Sequence, residues 1–270
     1  MELLFFCTRW GQEDTPWESF CEKVKDAGFD GVETSLPLDE NEIKFIQSTL
    51  SRHGLKLIGQ HWDTVTPDFE THVNEFDLRL RSMAAALPLF ITSHTGKDFF
   101  TFQQNEYLIE RAQKISAETG VKIVHETHRG KFSFAAHVTQ AYLQKYRDLR
   151  LTLDISHWYA VAESYLADQQ TAVDLAVAHT DHIHARIGHA HGPQVTDPRS
   201  AEWEEVVATH IACWDRVINA HRIKGSEYLT VTAEFGPHPY MQLQPFSTTP
   251  VANQWDVNLY MKDLLKNRYK

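Results

Sequence analysis

Residues that bind metals or transfer protons stand near the ends of four consecutive segments that are typical of β-strands. The segments read VKIVHE, LTLD, HIHARI and LTVTAE. They place Glu126, Asp154, His184 and Glu234 at or near their carboxyl ends. Carboxylates and imidazoles are the side chains that hold divalent cations and act as general acids or bases. The pattern therefore indicates a candidate catalytic site.

The order of polar and apolar residues predicts which way these side chains point. Successive side chains of a strand face opposite sides, and each of the last three segments divides into an apolar and a polar stripe. The polar stripes are Thr152 and Asp154; His182, His184 and Arg186; and Thr230, Thr232 and Glu234. If the apolar stripes face surrounding helices, the polar stripes face a common interior.

Convergence of Glu126, Asp154 and Glu234 would bring three negative charges together in a poorly solvated place. Such charges are costly without a compensating partner. One imidazole, His184, together with three carboxylates suits Mn²⁺, and also Co²⁺, Mg²⁺ or Zn²⁺. We predict one divalent metal ion, most simply Mn²⁺, bound by these four residues.

Further polar residues follow strand ends and are candidates for binding a substrate. His157 lies three residues after Asp154, and Arg186 lies two after His184. The remaining candidates, which could hold hydroxyls or a phosphate, are His94, Lys97, His128 and Arg129. Glu33, in GVETS, is a weaker candidate, and Trp10, Trp62 and Trp158 receive no role because tryptophan commonly belongs to a core.

These side chains can meet only if the strands are neighbours in one sheet. Strands are predicted at Leu3–Cys7, Gly31–Thr34, Leu57–Gln60, Phe90–Ser93, Lys122–Glu126, Leu151–Asp154, His182–Ile187 and Leu229–Glu234. Segments of helical period separate them, each opening near a capping residue and ending at a glycine, such as TPWESFCEKVKDAG, DENEIKFIQSTLSRHG and NEYLIERAQKISAETG. Eight strand and helix units predict one (β/α)₈ TIM barrel over residues 1–270, with catalytic residues at the carboxyl ends of the strands. An open doubly wound sheet is the alternative, although no glycine-rich phosphate fingerprint follows the first strand.

Composition narrows the class of partner. The net charge is -10 and no basic run is present, which argues against nucleic acid as a partner. No stretch reaches the roughly 18 apolar residues of a membrane helix, and no positively charged leader precedes the short apolar start. Three scattered cysteines without a C-x-x-C spacing suggest reduced thiols. We expect a cytoplasmic protein that does not bind membranes and acts on a small molecule, with a homo-oligomer as an open alternative.

The motifs FDGVETS, HETHRG, LTLDISHW, HIHARIG and TAEFGP resemble those of the sugar phosphate isomerase/epimerase superfamily. These xylose isomerase-like barrels include tagatose/psicose epimerases, inosose dehydratases and endonuclease IV-type enzymes. The resemblance implies a metal held by Glu126, Asp154, His184 and Glu234, with His157 near the substrate. It further implies that Glu126 and Glu234 move a proton next to a carbonyl by way of a metal-stabilised enediolate.

The resemblance has limits that leave the substrate open. Relatives of the epimerase branch tend to carry a glutamate three residues after the ligand histidine and an arginine later, whereas this chain has Ile187 there and Arg186 earlier. The loop over residues 188–203 is peculiar to this chain's subgroup and could shape the pocket or a subunit contact.

The expected function is an isomerase or epimerase of a small sugar, sugar phosphate, polyol or sugar acid. The alternatives are an inosose-type dehydratase, an endonuclease IV-like hydrolase, which the acidic composition disfavours, and a non-catalytic sugar-binding module.

Overall fold

Eight parallel strands close into a barrel in the computed structural model, which describes residues 1–270. The strands are β1 (Glu2–Thr8), β2 (Gly31–Thr34), β3 (Lys56–His61), β4 (Ile91–Ser93), β5 (Ile123–Glu126), β6 (Leu151–Leu153), β7 (Thr180–His184) and β8 (Tyr228–Ala233). They are hydrogen-bonded in chain order, and β8 pairs with β1. Because all pairings are parallel, all carboxyl ends meet at one rim. The predicted (β/α)₈ barrel is confirmed.

Nine α-helices surround this barrel. They are α1 (Trp17–Asp26), α2 (Glu40–Arg52), α3 (Phe69–Ala85), α4 (Phe102–Thr119), α5 (Ala136–Lys145), α6 (Ile155–Ala162), α7 (Gln170–His179), α8 (Glu204–Lys224) and α9 (Gln254–Arg268). Two of them, α6 and α7, lie between β6 and β7, and a short 3₁₀ turn at Ala201–Trp203 precedes α8. None of the helices combines the length and apolar content required to cross a bilayer.

Helix α4 illustrates how local sequence sets an element's bounds. The side chain of Thr101 accepts a hydrogen bond from the backbone N–H of Gln104, and Gln104 bonds back to the backbone of Thr101. This reciprocal capping box starts the helix three residues before the predicted segment, which opened at Asn105. Gly120, with φ of 71°, ends it as predicted, because glycine adopts the left-handed conformation without strain.

Strand β7 is shorter and begins earlier than predicted, at Thr180–His184 instead of His182–Ile187. The reason lies in its neighbour β6, which ends at Leu153 because the side chain of Asp154 caps helix α6. Beyond His184 only β8 is left to pair with, through the Ala185 N–H and the Thr232 carbonyl at 2.7 Å. Arg186 therefore lies past the strand, above the rim.

The barrel interior changes from apolar to polar along its axis. Side chains of Leu4, Phe6, Ile58, Phe90 and Val124 form a buried cluster inside the barrel. Gly31 leaves room for the ring of Phe6, one atom of which would lie 2.4 Å from an added Cβ. The apolar stripe of the seventh predicted strand, Ile183, Ala185 and Ile187, instead belongs to the large core shared with the helices. Its polar stripe, which consists of His182, His184 and Arg186, therefore faces away from the helices and extends toward the rim.

A partly buried ion cluster connects β5, β6 and β7 at the opposite end of the barrel, away from the rim. Asp181, on β7, accepts hydrogen bonds from Arg150 at 2.6 and 2.9 Å and also pairs with Lys122. Burial opposes ionisation of Asp181, but these hydrogen bonds and charges outweigh it and lower its pKa to about 2. The ionised carboxylate therefore stabilises the fold.

Replacing Asp181 by asparagine is expected to lower the free energy of unfolding at pH 7 by about 2 kcal/mol. A depressed folded-state pKa gives stability that is complete above the unfolded-state pKa of about 4 and is lost as the pH falls toward 2. Urea unfolding at pH 7 and pH 3 should show the difference shrinking at the lower pH. The control is Asp174→Asn, which removes an exposed pair with Arg216 and should change stability by less than about 1 kcal/mol. Equal losses in both variants would contradict the prediction.

Candidate metal centre

The strand register brings four residues from β5 to β8 together at the rim. Glu126 is the last residue of β5 and His184 the last of β7, while Asp154 and Glu234 directly follow β6 and β8. Their ligand atoms all lie within 4.8 Å of one another, and all four residues are buried. They are the same four residues that the sequence predicted as one metal-binding set.

His184 lies at the centre of this set. Its Nδ1 atom is 2.9 Å from a carboxylate oxygen of Glu234 and 3.4 Å from one of Glu126. Although these distances are short, neither carboxylate is oriented to form a hydrogen bond, so Nδ1 is a buried nitrogen without a partner. Burial would lower the pKa of His184, but the charges of Glu234, Glu33 and Glu126 raise it well above its ordinary value. A divalent cation held by the carboxylates would replace the ring proton and accept the lone pair of Nδ1.

The other ring nitrogen of His184 is held by Glu33. Nε2 of His184 lies 3.0 Å from Oε1 of Glu33, and Nε2 of His182 lies 3.1 Å from Oε2. Burial would raise the pKa of Glu33, but attraction to His184 and His182 outweighs it and depresses that pKa. A carboxylate on one nitrogen fixes the ring and leaves the other free for a metal. Glu33 is thus the partner that sequence reasoning underrated, although it lies one residue before the end of β2.

Asp154 has a positively charged partner of its own. Nη2 of Arg186 pairs with Oδ2 of Asp154, lies 3.8 Å from Oε2 of Glu234, and donates a hydrogen bond to Nε2 of His157 at 2.7 Å. Burial, with repulsion from the two glutamates, still raises the pKa of Asp154 to about 6 despite Arg186. One guanidinium therefore does not balance the three carboxylates.

Formal charges support the fit of a divalent cation. Glu126, Asp154 and Glu234 carry three formal negative charges and Arg186, which pairs with Asp154, carries one positive charge, so these four side chains together have a net charge of two negative units. One divalent cation would neutralise them. Both the unpartnered Nδ1 of His184 and the net negative charge of these side chains fit a single metal ion.

The two glutamates have different neighbours. Oε2 of Glu126 is 2.7 Å from Nε2 of His94, whereas Oε1 of Glu234 accepts a hydrogen bond from the side-chain amide of Gln60 at 2.6 Å. His94 stacks on His128 with ring centroids 4.3 Å apart. An imidazole can relay a proton and an amide cannot, so the two carboxylates are not equivalent.

A cavity of about 570 Å³ opens above these residues. Its lining includes five of the predicted substrate-binding residues: His94, Lys97, His128, Arg129 and Arg186. The sixth, His157, lies beneath the surface, where Arg186 and the ring of His128 cover it. Trp10 and Trp62 line the cavity, while Trp158 belongs to the core.

The segment HTDHIHARIGHAHG, from His179 to Gly192, holds five histidines and contributes to the centre through β7 alone. His189 and His191, on the loop after β7, do not line the cavity, and His189 packs on Trp203. The same loop is tied to the segment after β8 by hydrogen bonds of 2.8 and 3.1 Å between Gln194 and the backbone of Gly236.

Several cavity residues were absent from the sequence prediction, among them Gln60, Lys131 and Tyr240. Gln60 could have been found, since it lies one residue before the end of β3, on the same stripe as the interior Ile58. Lys131 and Tyr240 lie on loops, where no periodic pattern indicates direction.

The sequence matches one protein family of this architecture. A family model described as xylose isomerase-like TIM barrel matches residues 21–219. No curated protein matches the sequence significantly.

Three solved structures are similar over the whole barrel. D-allulose 3-epimerase from Methylomonas sp. has a TM-score of 0.64 and 16% identity, with 99% of this chain and 98% of that chain covered. The 3-keto-D-glucoside 4-epimerase YcjR from E. coli has a TM-score of 0.60 and 13% identity, covering 98% and 100%. The probable 3-DHS dehydratase AsbF from Bacillus anthracis has a TM-score of 0.59 and 14% identity, covering 98% and 99%. Identities this low show a shared fold alone.

Proposed function

Because the chain belongs to the xylose isomerase-like TIM barrel family, we propose that it is a metal-dependent isomerase or epimerase of a small carbohydrate. The observation that carries the proposal is the buried set Glu126, Asp154, His184 and Glu234, with the unpartnered Nδ1 of His184 among the carboxylates. Two of the similar structures are sugar epimerases, which supports this reaction class for the same fold. We propose Mn²⁺ as the metal.

Each part of the site can have its own role in such a reaction. A divalent cation held by the four residues would act as a Lewis acid toward a substrate carbonyl. Glu126 and Glu234 lie on either side of the ring nitrogen of His184, within 3.4 Å of it. One carboxylate can remove the proton from the carbon next to the carbonyl, and the other can return a proton to the same or the neighbouring carbon. Trp10 and Trp62 contribute apolar surface to the lining of the cavity.

A dehydratase is the second candidate, because elimination of water starts with the same proton abstraction. The similarity to the probable dehydratase AsbF is the observation that favours it. An endonuclease-like reaction fits less well, since a net charge of -10 without a basic run does not favour binding of a nucleic-acid backbone.

Turnover of a carbohydrate panel in D₂O with added Mn²⁺ tests the proposal. An isomerase or epimerase should give products that keep the substrate's composition and gain one deuterium on carbon. Loss of one water would identify the dehydratase. Binding of a sugar without any turnover or exchange would identify a non-catalytic module and overturn the proposal.

Removing the charge behind His184 should weaken the metal site without removing a ligand. We expect Glu33→Gln to reduce Mn²⁺ affinity by about 10- to 100-fold, because the amide no longer fixes the ring of His184 by a charged hydrogen bond. Titration of the metal-free protein with Mn²⁺ measures this. Glu13→Gln, which changes a cavity carboxylate that bonds only to the Gly11 N–H, is the control. Unchanged affinity in Glu33→Gln would show that Glu33 does not support the site.

A further inference from the structure

Two lysines of the cavity form no ion pair. Lys97 follows β4 and Lys131 follows β5, and both line the cavity above the metal centre. The lysine ion pairs of this chain are formed by other residues, namely Lys44, Lys114, Lys122, Lys145 and Lys262. Lys131 is only 6% exposed. An ammonium group removed from water without a counter-charge is energetically unfavourable, so this part of the cavity is prepared for an anion.

The backbone holds both lysines in place. The side chain of Asn105 accepts a hydrogen bond from the Lys97 N–H at 3.2 Å and donates one to the Lys97 carbonyl at 2.9 Å. Gly96 has a φ of 65°, and an added Cβ would lie 2.0 Å from Asn105. The Lys131 N–H donates to the His128 carbonyl at 3.2 Å. Lys97 and Lys131 are therefore presented by ordered turns.

The two lysine-bearing loops are also joined to each other. The Asp98 N–H donates to the Gly130 carbonyl at 3.4 Å, and the Phe132 N–H donates to the Thr95 carbonyl at 3.2 Å. These bonds flank Lys97 on one loop and Lys131 on the other. Burial, together with the charge of Lys97, lowers the pKa of Lys131 to about 8, as expected for two cations that influence each other. The pair forms one positive subsite.

The position of this subsite relative to the metal centre is informative. Lys131 lies on the loop that begins at Glu126, and Glu126 lines the same cavity. A molecule can therefore present its carbonyl end to the four metal-binding residues and a charged end to the lysines. In a chain with a net charge of -10, a local pair of unpaired cations concentrates anions at this mouth.

We infer that Lys97 and Lys131 bind an anionic group of the substrate, a carboxylate or a phosphate, so that the natural substrate is an acidic and not a neutral sugar. This inference rests on the proposed function, since it concerns the ligand of the same cavity. Lysine is a compact charge that binds either group. Arg129, whose guanidinium lies 5.0 Å from the ring centroid of Tyr240, adds a third positive charge to the rim.

Binding of inorganic phosphate to the metal-free protein tests the subsite apart from catalysis. We expect measurable binding by calorimetry, weakened about tenfold or more in both Lys131→Met and Lys97→Met. Lys114→Met, which alters an exposed lysine of α4, is the control and should bind phosphate as the unaltered protein does. Lys131→Met should also be at least as stable to heat, because a buried charge is removed. No phosphate binding by the unaltered protein, or equal binding by all variants, would overturn the inference.

Turnover of matched sugars distinguishes the source of the anion and separates the two proposals. A sugar acid, a sugar phosphate and the neutral sugar of the same carbon skeleton should differ in kcat/KM by about tenfold or more in favour of an acidic one. The preferred acid identifies carboxylate or phosphate, and Lys131→Met should abolish the preference. If the neutral sugar turns over as fast as the acidic ones, the inference about the anionic group is wrong, whereas the proposed function is unaffected. Phosphate binding without isomerisation of any sugar would support the anionic subsite and contradict the proposed function.

Discussion

His184→Ala should lose turnover and bind Mn²⁺ much more weakly than the unaltered protein. Loss of a residue that only supports a metal ligand typically costs roughly 10- to 100-fold in affinity, and loss of the ligand itself should cost more. The substitution removes the nitrogen that faces Glu126 and Glu234 and the contact with Glu33. Three carboxylates would then share the rim with only Arg186 to offset them. Metal content of the purified protein, measured by elemental analysis, is the primary readout.

A control and a second variant make this test specific. His191→Asn alters an exposed histidine of the neighbouring loop and should retain full metal content. Because His184 is wholly buried, its removal also leaves a void, so Asp154→Asn, which preserves size, should give the same loss of metal. Undiminished metal content in both His184→Ala and Asp154→Asn would show that these residues do not bind the metal.

Glu126→Gln should lower kcat by about 10²- to 10⁴-fold at saturating Mn²⁺, the range associated with loss of a general acid or base. The amide keeps the shape of the side chain and its nearness to His94, but cannot accept a proton from carbon. Binding of a non-reactive sugar analogue should remain within severalfold of the unaltered protein. Turnover unaffected by this change would exclude Glu126 from proton transfer.

The different neighbours of the two glutamates sharpen this prediction. Glu126 contacts His94, which is partly exposed, so a proton on Glu126 has a path to the solvent. Glu234 bonds to the amide of Gln60, which offers no such path. In single turnovers in D₂O the product should carry solvent deuterium when Glu126 is the carboxylate that returns the proton, and much less deuterium when Glu234 returns it. The control is His94→Gln, which should suppress exchange in the first case.

The sequence predicted the barrel because periodicity is a local property that the fold preserves. It also placed Asp154, His184 and Glu234 on one face, since alternation along a strand decides which side chains enter the interior. It placed the end of β7 three residues too late because the end of β7 depends on where β6 ends, and β6 ends where Asp154 caps a helix. That dependence crosses between strands and is invisible to a single segment.

Other parts of the site depend on contacts across the barrel. Glu33 acquires its importance from two histidines about 150 positions later in the chain. Lys131 gains its burial from the loop after β4, to which its own loop is hydrogen-bonded. Arg186 was expected to face substrate, yet its guanidinium also pairs with Asp154 and His157. Pairings between loops have no periodic signature, so residue type alone cannot assign them.

The division of the rim between the two halves of the chain has a consequence for altering the protein. All four proposed metal-binding residues come from β5 to β8, whereas Arg9, Trp10, Thr34 and Trp62, which line the cavity, follow β1 to β3 or end β2. Exchanging the loops after β1 and β3 for those of another barrel would therefore change the walls of the cavity and leave the four ligands in place. Such chimaeras should keep their bound metal while their preference among sugar skeletons changes, which makes the amino-terminal half the natural region for redirecting specificity.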